Sequence, residues 1–249
     1  MKTNYGEHKA REDLVCALRS AARLGLAEGV CNHFSLAVPG RPGQFLINPQ
    51  GLHWSEVVPA DLVIVDATGN HVSGQHAVEP TAFFIHGRIH HASARAHCVL
   101  HTHMPHATAL TIIEDGELAW ASQNALRFYG RVAYERAYNG LALDEAEGAR
   151  MAANVKDADI VFLANHGVIV CGPSVAHAFD DLYYLERACE LQLLGQSSGR
   201  PLKLVPQEIA AATRAQMDAE RQQSDLHLAA LKRILDKEQP DWRGNLLTA

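Results

Sequence analysis

The chain has 249 residues and a mass of 27.2 kDa, with 47% hydrophobic and 20% charged positions, enough to bury a sizeable core and unlike a disordered or coiled-coil chain. Its 22 Lys and Arg against 28 Asp and Glu leave a net charge of −6 with no basic cluster, so no nucleic-acid partner is expected. No apolar run reaches the roughly 18–20 residues of a membrane span, and Met1 to Glu7 lacks the apolar stretch of a signal peptide, which predicts a soluble cytoplasmic protein with no membrane partner.

From Glu7 to Leu26 the apolar residues Leu14, Val15, Leu18, Ala21, Ala22 and Leu26 recur three and four apart, the spacing of a helix with one buried face. A strand is expected at Asn32 to Val38, then the Pro39-Gly-Arg-Pro-Gly43 turn and a second strand from Gln44 to Asn48, forming a hairpin. Asp61 to Asp66 reads as a third strand closed by Thr68-Gly-Asn70, with a fourth from about His71. Pro80 suits the first turn of a helix that continues to the region of Ala92 to Arg95. His97 to His103 alternates like a strand, and Pro105 opens another helix. Ile160 to Leu163 and Val168 to Val170 flank the turn Asn165-His-Gly167. Ser174 is a good N-cap for a helix to about Leu194, and one polar helix is expected from about Pro206 to Lys237. The five Cys, at 16, 31, 98, 171 and 189, are widely spaced in mostly apolar segments and are expected as buried free thiols in a reducing compartment. No repeat or Gly/Ser linker divides the chain, so a single α/β domain over 1–249 with a mixed sheet follows.

The 15 His are the unusual feature. On a strand, residues two apart share a face, so His101 and His103 would set two imidazoles roughly 6–7 Å apart. A catalytic metal needs a third ligand and an open position, and His166, beside Gly167 at a strand end, can point into a cleft. Three imidazoles suit Zn²⁺, Mn²⁺, Fe²⁺ or Co²⁺ alike. His106 could line the same cleft or pack its helix, whereas His86 and His90, one turn apart, read as packing or surface residues.

His101-Thr-His-Met-Pro-His-Ala-Thr-Ala109, followed by Asn165-His-Gly-Val168, resembles the metal-binding signature of the class II aldolase/adducin family. Asn32-His-Phe-Ser35, Phe45-Leu-Ile-Asn-Pro-Gln-Gly51, Ser122-Gln-Asn-Ala and Gly130-Arg-Val-Ala-Tyr134 follow in the expected order, over about residues 10 to 195. The resemblance implies a three-layer α/β/α sandwich around a mixed, largely antiparallel sheet, and the polar helix would form a C-terminal extension at about 205–238 outside the matched residues. The resemblance also implies a homotetramer and one divalent metal per subunit held by His101, His103 and His166.

The family's sugar-phosphate aldolases and epimerase carry a Pro-Ser-Ser-acid element whose acid lies nineteen residues before the first metal His. Here that position is Ala82, within Glu79-Pro-Thr-Ala82. The missing carboxylate removes the evident base for abstracting a proton next to a carbonyl, and the missing serines argue against a phosphorylated substrate. Glu79 could compensate if the helix began a turn early; otherwise it is a solvated or N-capping carboxylate. The small-molecule carboxylate substrate is expected to meet His33, Asn48, Gln50, Gly51 and Thr81, with Arg127, Tyr129 and Arg131 able to reach a carboxylate or ring. Decarboxylation needs an electron sink but no base for a carbon-bound proton, so the missing acid harms it least. A metal-dependent decarboxylase of a hydroxylated aromatic or pyridine dicarboxylate, or a related hydroxy-keto acid, is therefore expected. The alternatives are an aldolase on a non-phosphorylated keto acid with Glu79 as base, an iron-dependent oxygenase, and a non-catalytic adducin-like module.

Overall fold

A computed structural model describes residues 4–93, 95–140, 150, 152–155 and 158–244. Helix α1 (Asn4–Arg23) leads to the antiparallel strands β1 (His33–Ala37) and β2 (Gln44–Ile47), then β3 (Val63–Asp66) and the short β4 (His71–Ser73). Helix α2 (Pro80–Ala92) precedes β5 (Cys98–Thr102), α3 (Pro105–Thr111), the single turn α4 (Gln123–Leu126) and β6 (Val132–Glu135). The strands β7 (Ile160–Leu163) and β8 (Gly167–Gly172) are followed by α5 (Val175–Gln196), α6 (Gln207–Ala219) and α7 (Gln222–Glu238).

The eight strands form one sheet in the order β4-β3-β2-β1-β5-β8-β7-β6, and every pairing among them is antiparallel except β6 with β7. Strand alternation sends side chains to two separate cores. Phe34, Leu36, Leu46, Ile64, Leu100, Phe162, Val168 and Val170 join residues of α1, α3, α5 and α7 on one face. On the other, Val99, Val161, Ile169 and Cys171 pack with Ile89 of α2 and with Ala152 and Val155, while Phe45, Ile47, Val63 and Val65 enclose Ala82 of α2. This is the expected α/β/α layering, and it settles which residues share the α2 face: His33 and Ser35 of β1, and His101 of β5, which is paired directly with His33.

Helix α2 begins at Pro80 as expected, with Glu79 as its N-cap accepting from the Ala82 amide at 3.1 Å. Two elements differ from the sequence expectation. The C-terminal polar helix is two helices, broken at Glu220 and Arg221, where the Arg221 guanidinium turns inward to Asp181 at 2.7 and 3.0 Å. Strand β6 was hidden because its residues are all half-buried and lack a clean alternation. Cys16, Cys98, Cys171 and Cys189 are buried free thiols, whereas Cys31 is exposed. No described helix is long and apolar enough to cross a membrane.

Candidate metal centre

His101 lies on the α2 face near the end of β5, with Ile169 of β8 opposite it on one side and His33 of β1 on the other. Two residues on, past the strand end, stands His103. The β7–β8 turn supplies the third imidazole: Asn165 adopts a positive φ of 54°, a left-handed conformation Asn tolerates, and His166 follows it. One nitrogen of each of His101, His103 and His166 falls within 4.8 Å of the others, with ring centroids 4.8 to 5.1 Å apart.

The hydrogen bonds around these rings decide which nitrogens can bind. His101 Nδ1 lies 3.0 Å from the Val168 carbonyl, which can only accept, so the ring carries its proton there and presents Nε2 as a lone pair. His103 Nδ1 is bonded to the Glu28 carboxylate, and its Nε2 is buried without a hydrogen-bond partner among the described residues. A carboxylate or carbonyl on the far nitrogen is the usual partner of a metal-binding imidazole. An orphaned buried nitrogen beside two other imidazoles is what a divalent cation would satisfy, so the residues fit such an ion. Gly167 completes the fit: a Cβ there would lie 2.7 Å from Thr102 O and 2.8 Å from His103 Cδ2. Gly167→Ala should therefore displace the His103 ring and weaken zinc binding at least about tenfold, a size typical of disturbed ligand support. Unchanged affinity in a calorimetric titration would show that the close packing has no bearing on the metal.

Burial, followed by the neighbouring His166 and His103, holds the His101 imidazole well below the ordinary range. Burial does the same for His86, and lowers His90 to about 4 even though the Ala96 carbonyl accepts from its Nδ1. Neutral rings are what a cation needs. They also link stability to pH. A depressed imidazole means that the unfolded chain binds protons first, at about 6.5, so the metal-free protein should lose stability as pH falls from 6.5 towards 4. Each ring that stays neutral contributes up to about 1.4 kcal/mol per pH unit. The urea midpoint should drop across that window; a flat midpoint between pH 7 and 5 would contradict the burial of these imidazoles.

Around the triad, the predicted substrate residues divide. His33 is buried, stacks on His101 with centroids 6.0 Å apart, and has Nε2 2.8 Å from Glu79 Oε2, a close ion-pair approach that is not aligned as a hydrogen bond. Glu79 thus both caps α2 and faces the histidine next to the triad. Asn48 does not present a free amide: its Oδ1 accepts from Phe34 N at 2.8 Å and its Nδ2 donates to Asn32 O at 3.3 Å, which clamps the start of β1. Gln50 is tied through its backbone to Ala77 O, and Gly51 turns the chain at φ 83°. The Thr81 side chain lies outside the described ones.

Arg127 and Tyr129 are not brought to the triad. Both precede β6, whose first residue pairs with the first residue of β7, while His166 follows the last; they sit at the opposite end of that strand pair. Arg127 is engaged by Asp180 and Asp181 and lies 4.2 Å over the Tyr184 ring, and Tyr129 packs against Trp120. Arg131 is likewise taken, by Asp159 and Asp181. The His106 ring is held by Glu186, whose carboxylate also accepts from the His106 and Ala107 amides and so caps α3. Glu28 was missed, since a carboxylate in a loop 75 positions from its histidine leaves no local pattern. So was Asn32, whose Oδ1 accepts from Glu28 N at 3.0 Å and from His103 N at 3.5 Å and ties the two segments together.

Comparison with known proteins identifies the family. The family described as Class II Aldolase and Adducin N-terminal domain matches residues 12–193. A putative aldolase class 2 protein of Pseudomonas aeruginosa is 34% identical over 97% of this chain and 95% of its own. Decarboxylase NovR of Streptomyces niveus is 30% identical over 93% and 88%. The crystal structure of an aldolase II superfamily protein from Pseudomonas syringae superposes with a TM-score of 0.90 at 36% identity, covering 96% of this chain and 97% of that one.

Proposed function

Because the chain belongs to the class II aldolase and adducin family, we propose that it is a divalent-metal-dependent lyase, and that the bond it breaks is the one to a carboxylate. Its substrate on this reading is a hydroxylated aromatic or pyridine dicarboxylate, or a related hydroxy-keto acid, and it works as a homotetramer with one Zn²⁺, Mn²⁺, Fe²⁺ or Co²⁺ per subunit. The observation that carries the choice of decarboxylation over aldol chemistry is Ala82. The residue is fully buried in an apolar cluster with Phe45, Ile47, Val63 and Val65, so where the sugar-phosphate enzymes hold an acid this chain has an alanine in apolar surroundings. The similarity to a protein named as a decarboxylase supports the same reading.

His101, His103 and His166 would hold the cation through their inward nitrogens, with Val168 O and Glu28 fixing two of the rings. Bound there, the cation would supply a Lewis acid for the electrons released when the carbon–carbon bond breaks. The chain's own task is then to orient the substrate and to return one proton to the carbon that has lost CO₂. No base is needed for a carbon-bound proton, because the departing CO₂ leaves its bonding electrons behind. His33, beside the triad and paired with Glu79, is the titratable group placed to deliver that proton. Purified protein should release CO₂ from hydroxylated phthalates or pyridine dicarboxylates when loaded with one of these metals, without consuming O₂. Formation of an aldehyde would identify an aldolase with Glu79 as base, and O₂ uptake an oxygenase; either would replace the decarboxylase reading.

A further inference from the structure

Strand β1 and helix α2 face each other across imidazoles that the triad does not use. The Ala96 carbonyl lies 2.7 Å from His90 Nδ1 and can only accept, so His90 carries its proton on Nδ1 and, when neutral, offers Nε2 as a lone pair. Ser35 Oγ lies 2.7 Å from that Nε2 and donates its single hydrogen to it. The same oxygen is 2.5 Å from His86 Nδ1, and with its hydrogen already committed it can only accept. His86 must therefore carry its proton on Nδ1. Burial keeps both rings neutral.

In the chain from Ala96 through His90 and Ser35 to His86, one ring nitrogen is left over. His86 Nε2 is a bare acceptor on a residue with 0% exposure, and it has no hydrogen-bond partner among the described residues. Its ring stands edge-on to His33 at 5.9 Å, and His33 stacks on His101, so this nitrogen belongs to the same buried histidine layer as the triad. A buried acceptor without a donor is costly, and the group that relieves it must bring a hydrogen.

We propose that His86 Nε2 is a subsite of the candidate active site that accepts a hydrogen bond from a substrate hydroxyl and turns away a carboxylate. The assignment deepens the hydroxy-acid lyase reading and rests on it. A carboxylate oxygen at this point would set lone pair against lone pair, whereas an O–H completes the chain of hydrogen bonds that begins at Ala96 O. Ser35 and His90 are positioning residues: they act through the tautomer of His86, and removing either frees that ring to carry its proton on Nε2 instead.

Neutron diffraction on deuterated, zinc-loaded protein should show deuterium on Nδ1 of both His86 and His90 and none on His86 Nε2. Deuterium on His86 Nε2 overturns the subsite and leaves the lyase reading intact, as does equal calorimetric affinity of the zinc-loaded wild type for 3-hydroxyphthalate and phthalate. The preference for the hydroxylated acid should fall about tenfold in Ser35→Ala, the size of one hydrogen bond; an unchanged preference overturns the role of Ser35 and with it the subsite. If neither acid binds the zinc-loaded wild type while CO₂ release from every hydroxylated dicarboxylate also fails, the hydroxy-acid reading itself falls and takes the subsite with it.

Discussion

Replacing His103 with Ala abolishes both metal retention and turnover on this account. The ring contributes one of three nitrogens gathered within 4.8 Å, and no other described His, Cys or carboxylate joins that cluster to take its place. Two imidazoles hold a divalent ion too weakly to survive purification, so the loss should exceed the roughly 10–100-fold that outer hydrogen-bond partners are worth. Glu28→Gln provides the calibration. It keeps a partner for His103 Nδ1 but removes the charge, and should lower metal affinity within that 10–100-fold range while leaving measurable activity. Elemental analysis of the purified variants, set beside their rates, gives both readouts. Full activity in His103→Ala would refute the triad as the catalytic centre.

Asp181→Ala is expected to cost the most stability. Its carboxylate is 1% exposed and lies 2.7 Å from both Arg131 Nη2 and Arg221 Nη1. Burial works against its charge, but the guanidiniums of Arg131 and Arg221 outweigh that and hold the carboxyl below its usual range. The neighbouring Asp180, lowered to about 2 against the cost of its burial, accepts from His227, Arg127 and Ser224. Removing Asp181 leaves two cations in the interior facing one another, and breaking a buried pair in this way costs about 3–5 kcal/mol. Because Arg221 stands at the break between α6 and α7, the C-terminal helices should loosen first. Urea denaturation measures the total, and hydrogen exchange along 207–238 locates it. A loss below about 1 kcal/mol would mean that these charges are solvated and contribute like a surface pair.

The same network explains why the sequence does not reveal the partners of Arg127. The position of Arg127 and Tyr129 after a matched segment, and the fork of donors on Arg, point towards a substrate carboxylate, but the acids that claim Arg127 lie 53 and 54 residues away on α5, a distance no local pattern reports. Where periodicity is strong, reading and structure coincide: the strand read across His97 to His103 is observed at Cys98–Thr102, and the helix read from Glu7 and the Ser174 cap both appear as expected. His-x-His on a strand and His-Gly at a turn were legible because metal chemistry leaves its residue types at short spacing. Glu28, Ser35 and the His86–His90 pair were not, since their meaning depends on which face of β1 meets which face of α2. That face follows from the His33–His101 register, which only the assembled sheet reveals. Glu79 lay between the two cases: both of its readings start from one position, and only the observed start of α2 at Pro80 makes it a cap that also faces His33.

The most direct test of the account is X-ray absorption at the metal edge of protein loaded with one equivalent of Zn²⁺, recorded for the wild type and for His166→Ala. Three imidazole nitrogens at about 2.0–2.1 Å in the wild type, falling to two or to no bound zinc in the variant, is the predicted result. A wild-type spectrum without three histidine ligands, or one unaltered by the loss of His166, would contradict it.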